Sequence, residues 1–358
     1  MLTEEMVLSA LKVVEDPEVH KSIVELEMVR RIEIKGDHVI VEIALTISGC
    51  PLRTQIEQDV KTALAKVPGI ETSEIVLSTM SDEERGQFAS KLRGGRAQSH
   101  SPLLSGETET RFVAIASGKG GVGKSTVTAN LAVALRRLGY KVGVIDADIY
   151  GFSLPAIFDI ERRQPTQIDN VLFPIEARGI KLMSMGFFVP EKEPVIWRGP
   201  MLGKMLRNFF NEVHWGEIDV MLLDLPPGTG DVALDVHQML PKCKEIIVTT
   251  PQAAAAEVAK RAGFMAKRTN HEIIGIVENM SFLRCTRCDE ANYVFGKGGG
   301  LKLSKELDVP LLGEVPLAVM KVSGESIYPV ESEQGEVFER IARATAESIH
   351  VPVALNEK

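Results

Sequence analysis

Cysteine is scarce: there are 4 in 358 residues, at positions 50, 243, 285 and 288. So few thiols in so long a chain exclude a disulfide framework. Without an export signal they are expected in a reducing compartment, where a close pair marks metal or redox chemistry. Long apolar runs are also lacking. None approaches the roughly 18 residues needed to span a bilayer, so no transmembrane helix is expected. Residues 1–16 are acidic, with Lys12 their single basic residue. A secretory signal or mitochondrial presequence would be basic, so neither is expected and the cytoplasm is the expected location. Basic charge is in deficit, with 41 Lys and Arg against 49 Asp and Glu and a net charge of −8. That excludes the basic footprint of a dedicated nucleic-acid binder. No internal repeat is visible. The remaining composition, 44% hydrophobic and 25% charged, is that of a globular protein with a real core, and the length fits two domains, three at most.

The first 80 residues read as a small α+β domain. Residues 2–14 have a helical pattern containing Met6, Leu8 and Leu11. Ile32 and Ile34, then Val39, Val41 and Ile43, alternate with polar residues on either side of a tight turn at 35–38, the mark of a β-hairpin. Leu52, Ile56, Val60 and Leu64 recur every fourth residue, an amphipathic helix, and 74–79 offer a third strand. Residues 81–109 are rich in glycine, serine and mixed charge and read as a linker with a short helix at its start. From 110 to 358, short apolar runs alternate with helical stretches. Candidate strands are 111–117, 142–146, 180–183, 220–224, 245–249, 273–277 and 311–313. The expected fold is α/β: a mostly parallel sheet with helices on both faces and ligands at the carboxyl ends of its strands.

Gly118, Lys119, Gly120, Gly121, Val122, Gly123, Lys124 and Ser125 match G-x-x-x-x-G-K-[ST] in full, and Thr126 follows. An apolar strand precedes the motif and a helix, 126–138, follows. The glycines let backbone N–H groups turn toward phosphate oxygens, and the helix N-terminus adds partial positive charge. In such a loop Lys124 bridges the β- and γ-phosphates and the Ser125 hydroxyl binds Mg²⁺. Asp146 and Asp148 end one strand in I-D-A-D, and Asp224 ends another in L-L-D-L-P-P-G-T-G-D. Carboxylates there can hold Mg²⁺ directly or through water. Gly228 can offer its N–H to the γ-phosphate, with Pro226 and Pro227 stiffening that turn. Asn279 follows the strand 273–277.

Cys285-x-x-Cys288 leaves three readings open: a metal or cluster shared across a dimer axis, a redox pair, or inert thiols. A structural zinc site wants four ligands, and Cys50 and Cys243 are far away in sequence. His271 belongs to the other end of the preceding strand. A twofold axis would bring two thiols from each subunit, and four thiolates suit a [4Fe–4S] cluster or one metal. Cys50 reads either as a small buried hydrophobe or as a thiolate helped by the helix that follows. Cys243 reads as incidental.

Lys119 makes the loop G-K-G-G-V-G-K-S-T, which resembles the nitrogenase-iron-protein and partition-ATPase class of P-loop proteins. That resemblance implies that Lys119 reaches across a nucleotide-sandwich dimer, that Asp224 is the Walker B aspartate, that Asp146 holds a Mg²⁺-bound water, that Asp148 orients the attacking water and that segments 277–280 and 313–316 bracket the adenine, with Asn279 the candidate base contact. Residues 278–288, E-N-M-S-F-x-x-C-x-x-C, with W-R-G-P-M at 197–201, resemble the Mrp/ApbC iron–sulfur carrier ATPases over about residues 110–350. The first 80 residues resemble the iron–sulfur-assembly-associated domain often fused in front, on Asp16-Pro17-Glu18, S-I-V-E-L at 22–26 and T-x-x-G-C-P at 46–51. Glu27-Met28 departs from the usual Gly-Leu type of pair at a turn. The resemblance implies a homodimer that hydrolyses ATP with Mg²⁺, bridges an iron–sulfur cluster, of [4Fe–4S] type first, with Cys285 and Cys288, receives it from a donor or scaffold protein and hands it to apo-proteins. It implies no nucleic-acid or membrane partner. The rival reading is a positioning ATPase of the partition or division-site kind. Those use a basic amphipathic terminal helix, whereas the last helix here, 335–349, has only Arg340 and Arg343 and an apolar face of Phe338, Ile341, Ala342 and Ile349. A scaffold that binds nucleotide and scarcely hydrolyses it is a third reading.

Overall fold

Alternating burial builds the first sheet. Val39, Val41 and Ile43 are fully buried along β2 (His38–Leu45), which pairs antiparallel with β1 (Val29–Lys35) through a turn where Gly36 takes a φ of 71°. Before them runs α1 (Glu4–Leu11), capped by the Thr3 hydroxyl accepting the Met6 N–H at 3.3 Å. After them come α2 (Arg53–Leu64), β3 (Thr72–Thr79), which is parallel to β2, and α3 (Asp82–Leu92). Val7 and Leu11, Ile56 and Val60, and Phe88 and Leu92 bring the three helices into one apolar core with the sheet. The start of the expected linker is therefore the helix α3. Residues 2–17, 19–46, 53–92, 103–104, 108–148, 151–160, 163–189, 199–317 and 326–350 are described by this computed structural model, with 199–202 and 231 described in backbone only. Cys50 with the 47–51 pattern, Glu18, and Trp197 and Arg198 lie outside the described residues.

The remaining elements follow in chain order: β4 (Arg111–Ser117), α4 (Lys124–Arg137), β5 (Val142–Asp146), α5 (Leu154–Ile157), the short strands β6 (Gln167–Ile168), β7 (Val171–Leu172) and β8 (Ile175–Ala177), β9 (Ile180–Ser184), α6 (Gly199–Asn211), β10 (Val220–Asp224), α7 (Asp231–Met239), β11 (Lys244–Thr249), α8 (Ala253–Arg268), β12 (Ile273–Arg284), β13 (Ala291–Asn292), α9 (Gly299–Leu307), β14 (Leu311–Leu317) and α10 (Glu333–Ser348). Two compact units result. The first holds Met1–Ser99 with Thr166–Phe173 and Glu212–Gly216, and the second holds the rest.

The second unit is built on a 9-stranded sheet of order β13-β12-β11-β4-β10-β5-β9-β8, with β14 beside β12. Its inner pairs are parallel, and β8 and β13 join antiparallel at the ends. Continuous apolar strands such as Val113–Ala114–Ile115 are buried because helices cover them. One consequence of register decides the site. β5 and β10 are neighbours, and Asp146 stands directly opposite both Asp224 and Ser184. Parallel alignment thus gathers strand-end carboxylates from distant parts of the chain at one edge.

Candidate functional site

The loop between β4 and α4 rims a cavity of about 680 Å³, lined by Lys119 to Thr126, Ser117, Asp148, Gly151, Ser153, Ile157, Pro226, Pro227, Gly230 and Val232. Gly121 and Gly123 both have φ of 80°, and Gly123 caps the helix that Lys124 begins. A side chain on Gly123 would meet Asn279 Nδ2 at 2.2 Å, so strain and space both demand glycine there. On Gly118 a Cβ would stand 2.2 Å from the backbone nitrogen of Ala259 in α8.

Lys124 is 6% exposed. Its ammonium stands 2.8 Å from Asp224 Oδ1 and 3.6 Å from Asp148 Oδ2, yet makes no hydrogen bond of good geometry. Ser125 donates to Asp224 Oδ2 at 2.5 Å and Thr128 to Asp224 Oδ1 at 2.7 Å. Asp146, wholly buried, accepts from the Ser184 hydroxyl at 2.9 Å and from the Asp148 N–H at 3.2 Å. Burial first, and then the neighbouring Asp224, push its carboxyl up to about 8. Burial also raises Asp148, against the pull of Lys124.

Asp224 and Asp148 beside one lysine, with the protonated carboxyl of Asp146 behind them, leave the pocket short of positive charge. The donor set, a serine hydroxyl beside a buried aspartate with Asp148 on the cavity wall, is the oxygen chemistry that Mg²⁺ takes. The underpaired lysine at a helix N-terminus is the complement of phosphate. The residues present therefore fit a Mg–nucleotide.

Other expected residues fall differently. The Gly228 N–H donates to the Ser117 carbonyl at 2.8 Å, so in this structure it already has a partner. Asn279 is buried and its amide donates to the Val122 carbonyl at 2.9 Å, holding the loop from behind. Lys119 donates to Gln252 Oε1 at 3.3 Å. Gln252, Thr128 and Ser184 escaped the sequence reading. Thr128 lies one turn beyond Lys124 on the same helix face, a signal that was available. Ser184 needed the β5–β9 register, and Gln252 needed the fold.

The cysteine pair lies at the turn between β12 and β13, where Leu283 faces Asn292 and Arg284 faces Ala291. Cys285 is half-buried, Cys288 is exposed, and both are free thiols. Backbone N–H groups of Arg287 and Cys288, then the Cys288 side chain, lower the Cys285 thiol from its ordinary range. At this turn the described residues offer two thiols and no third metal-ligating side chain. His271 bonds the Leu240 carbonyl and the Thr269 hydroxyl, and is no ligand of the pair. Cys243 is 2% exposed, its thiol raised by burial.

Fold and loop together define a P-loop NTPase. The family model of the NUBPL iron-transfer P-loop NTPases matches residues 109–349, and that of an iron–sulfur cluster assembly protein domain matches 4–76. The chain belongs to this iron-transfer P-loop NTPase family. It is 48% identical over 359 residues to the iron–sulfur cluster carrier protein of Bacillus subtilis, covering 99% of this chain and 100% of that one. It is 46% identical to that of Mycobacterium tuberculosis, over 90% of this chain and 86% of the other. Among solved structures, the nucleotide-binding protein of Archaeoglobus fulgidus in complex with ADP is similar at a TM-score of 0.52 and 35% identity, covering 70% of this chain and 92% of that one.

Proposed function

We propose that this protein is a cytoplasmic homodimeric ATPase that holds an iron–sulfur cluster between Cys285 and Cys288 of two subunits, takes it from a donor protein and passes it to apo-proteins. The observation that carries the reading is the coexistence in one compact unit of a complete phosphate-binding loop and two free thiols on an exposed turn. Two thiols per chain are half of a four-thiolate set, and a twofold axis supplies the other half. The assembly-domain match and the carrier names of the relatives support the same class of cargo.

At the phosphate site Lys124 would exchange its carboxylate neighbours for phosphate oxygens, and Ser125 with Asp224 would hold Mg²⁺. The metal supplies charge neutralisation on the phosphates. Asp148, which lines the cavity wall, would orient a water, and Asp146 would support it through the Asp148 N–H. Lys119, released from Gln252, would serve a partner subunit's nucleotide. The positioning-ATPase alternative lacks its instrument in the described residues. The apolar face of α10 is buried inside its own unit, and Arg343 pairs with Glu339 at 2.6 Å.

Anaerobic purification followed by an absorption spectrum, iron and sulfide assays and phosphate release tests the reading. A broad visible band with iron and sulfide in equal amounts, together with ATP turnover, is expected. Colourless protein that stays iron-free after reconstitution would overturn it.

A further inference from the structure

β12 touches both reactive places. At Asn279 it meets the phosphate-binding loop, and six residues on it reaches Cys285. We propose that Asn279 is a positioning residue that couples the Val122–Gly123 peptide to the cysteine turn, so that nucleotide in the loop changes the state of the two thiols. The meaning of that coupling, though not its existence, rests on the carrier function proposed above.

The geometry starts with one peptide plane. Asn279 Nδ2 donates to the Val122 carbonyl at 2.9 Å, and no peptide bond among the described residues is cis. In a trans peptide the next N–H points opposite to the carbonyl. Asn279 therefore sets the direction of the Gly123 N–H, in a loop whose Val122 and Gly123 both line the cavity. A phosphate oxygen accepting from that N–H polarises the same peptide and strengthens the bond Asn279 makes to its carbonyl. The contact is close. A Cβ on Gly123 would lie 2.2 Å from Asn279 Nδ2 and 3.5 Å from Met280 Cε.

Past Asn279 the strand changes character. Glu278 is anchored, its carboxylate accepting the Gly300 N–H at 2.5 Å, and Asn279 still pairs with Val315 of β14. Met280 then takes a φ of 56°, the left-handed region a non-glycine residue rarely occupies, and the β14 register breaks between Asn279 and Leu283. Beyond the shift Leu283 pairs with Leu317 of β14 and with Asn292 of β13, and the cysteines follow in the turn after Arg284. The chain is thus pinned at 278–279, bent at 280 and extended to Cys285, roughly 20 Å at a strand's rise per residue. A bend next to a pinned contact lets a small shift at the loop re-aim the turn. Asn279 then acts on the loop's backbone through the Val122 carbonyl.

The test uses the full chain, stripped of iron by a chelator and kept anaerobic. Alkylation by iodoacetamide is followed at each cysteine by mass spectrometry, with and without Mg-ADP or a non-hydrolysable Mg-ATP analogue, and buried Cys243 serves as internal control. In the wild type, nucleotide should change the rates at Cys285 and Cys288 by about fivefold or more, the lower end of ordinary coupling. Asn279→Ala and the isosteric Asn279→Asp, neither able to donate to Val122, should bind Mg-ADP within about tenfold of wild type, the worth of one hydrogen bond, and lose the thiol response. A purely structural residue would lower stability and leave the response in place. The proposal is overturned if wild-type thiols ignore nucleotide or if both variants keep the full response. It is equally overturned if both lose nucleotide altogether, which makes Asn279 a binding contact, or if both fail to fold, which makes it structural. Because the thiols are read without iron, a chain that never holds a cluster still answers the question. Failure of the carrier reading shows separately, in the iron and sulfide assay.

Discussion

Lys124 is the residue on which the phosphate site turns, since it supplies the one buried cation among Asp146, Asp148 and Asp224. Lys124→Ala should leave ATP turnover at least about a hundredfold down, the scale at which a positioned charge on a transferring phosphoryl group acts. Phosphate release from the purified variant checks it, and wild-type turnover would refute the assignment. The fold should survive, because Asp224 keeps the hydroxyls of Ser125 and Thr128 as donors. Asp148→Asn separates two functions that Lys124 joins. The carboxylate lines the cavity, and its loss removes a negative charge facing the phosphates while changing what a water can donate to. Hydrolysis should slow by about tenfold or more while Mg-ATP binding persists or tightens, read by turnover and by equilibrium binding of the nucleotide. Binding lost together with hydrolysis would give Asp148 a metal-holding or loop-building role.

Among the elements, α3 shows how a helix start is written in side chains. Ser81 Oγ accepts the Glu84 N–H at 3.2 Å, and Glu84 Oε2 accepts the Ser81 N–H at 2.6 Å, a reciprocal capping box. Arg30 of β1 grips the same carboxylate at 3.1 and 2.5 Å and so ties helix to sheet. The Ser81 N–H, then Arg30, lower Glu84 from about 4.5 to about 2. A carboxyl depressed on folding stabilises the fold above its unfolded pKa, and that contribution fades as pH falls through the folded value. Glu84→Gln should therefore lower hydrogen-exchange protection of the α3 amides at neutral pH, and the gap to wild type should close between pH 4.5 and 2. A gap that does not depend on pH would assign the effect to packing. S-x-x-E at 81–84 marks the start of the short helix expected there, and the glycine- and serine-rich stretch after it hides how far that helix runs, to Leu92. The parallel strands were legible because apolar runs ended at charged or small residues, and the phosphate loop because its motif is dense. Short strands such as β6, β7 and β13, of two residues each, carry no periodicity to read. Nor did β12 announce its length. Residues 273–277 are continuously apolar, whereas the polar stretch beyond them extends only because β14 and β13 pair with it. The hydrogen bond from Asn279 to the Val122 carbonyl is not legible in the sequence either, since the two residues stand 157 positions apart.

For the whole molecule the decisive question is how many chains complete the cysteine site. One turn presents Cys285 and Cys288 and no third ligand among the described residues, while the buried thiol of Cys243 donates to the Lys244 carbonyl at 3.4 Å. A four-iron cluster wants four thiolates, so a twofold dimer joined at this turn would finish the set, and each subunit would contribute half. The arithmetic of that arrangement differs from any single-chain site. Changing Cys285 or Cys288 to Ala removes two ligands per dimer, and two thiolates cannot keep a four-coordinate cluster. Each single variant should lose nearly all bound iron, and wild-type iron should approach one cluster for every two chains. ATP turnover should largely survive in Cys285→Ala, since the phosphate loop and the cysteine turn are built from different segments. Cys243→Ala should alter neither value, because the residue is 2% exposed and its thiol is held protonated by burial. Iron and sulfide per chain, with molar mass by light scattering, measure all of this on one preparation. A full cluster per single chain that persists in Cys288→Ala would refute the shared site and turn attention to Cys50, which lies outside the described residues.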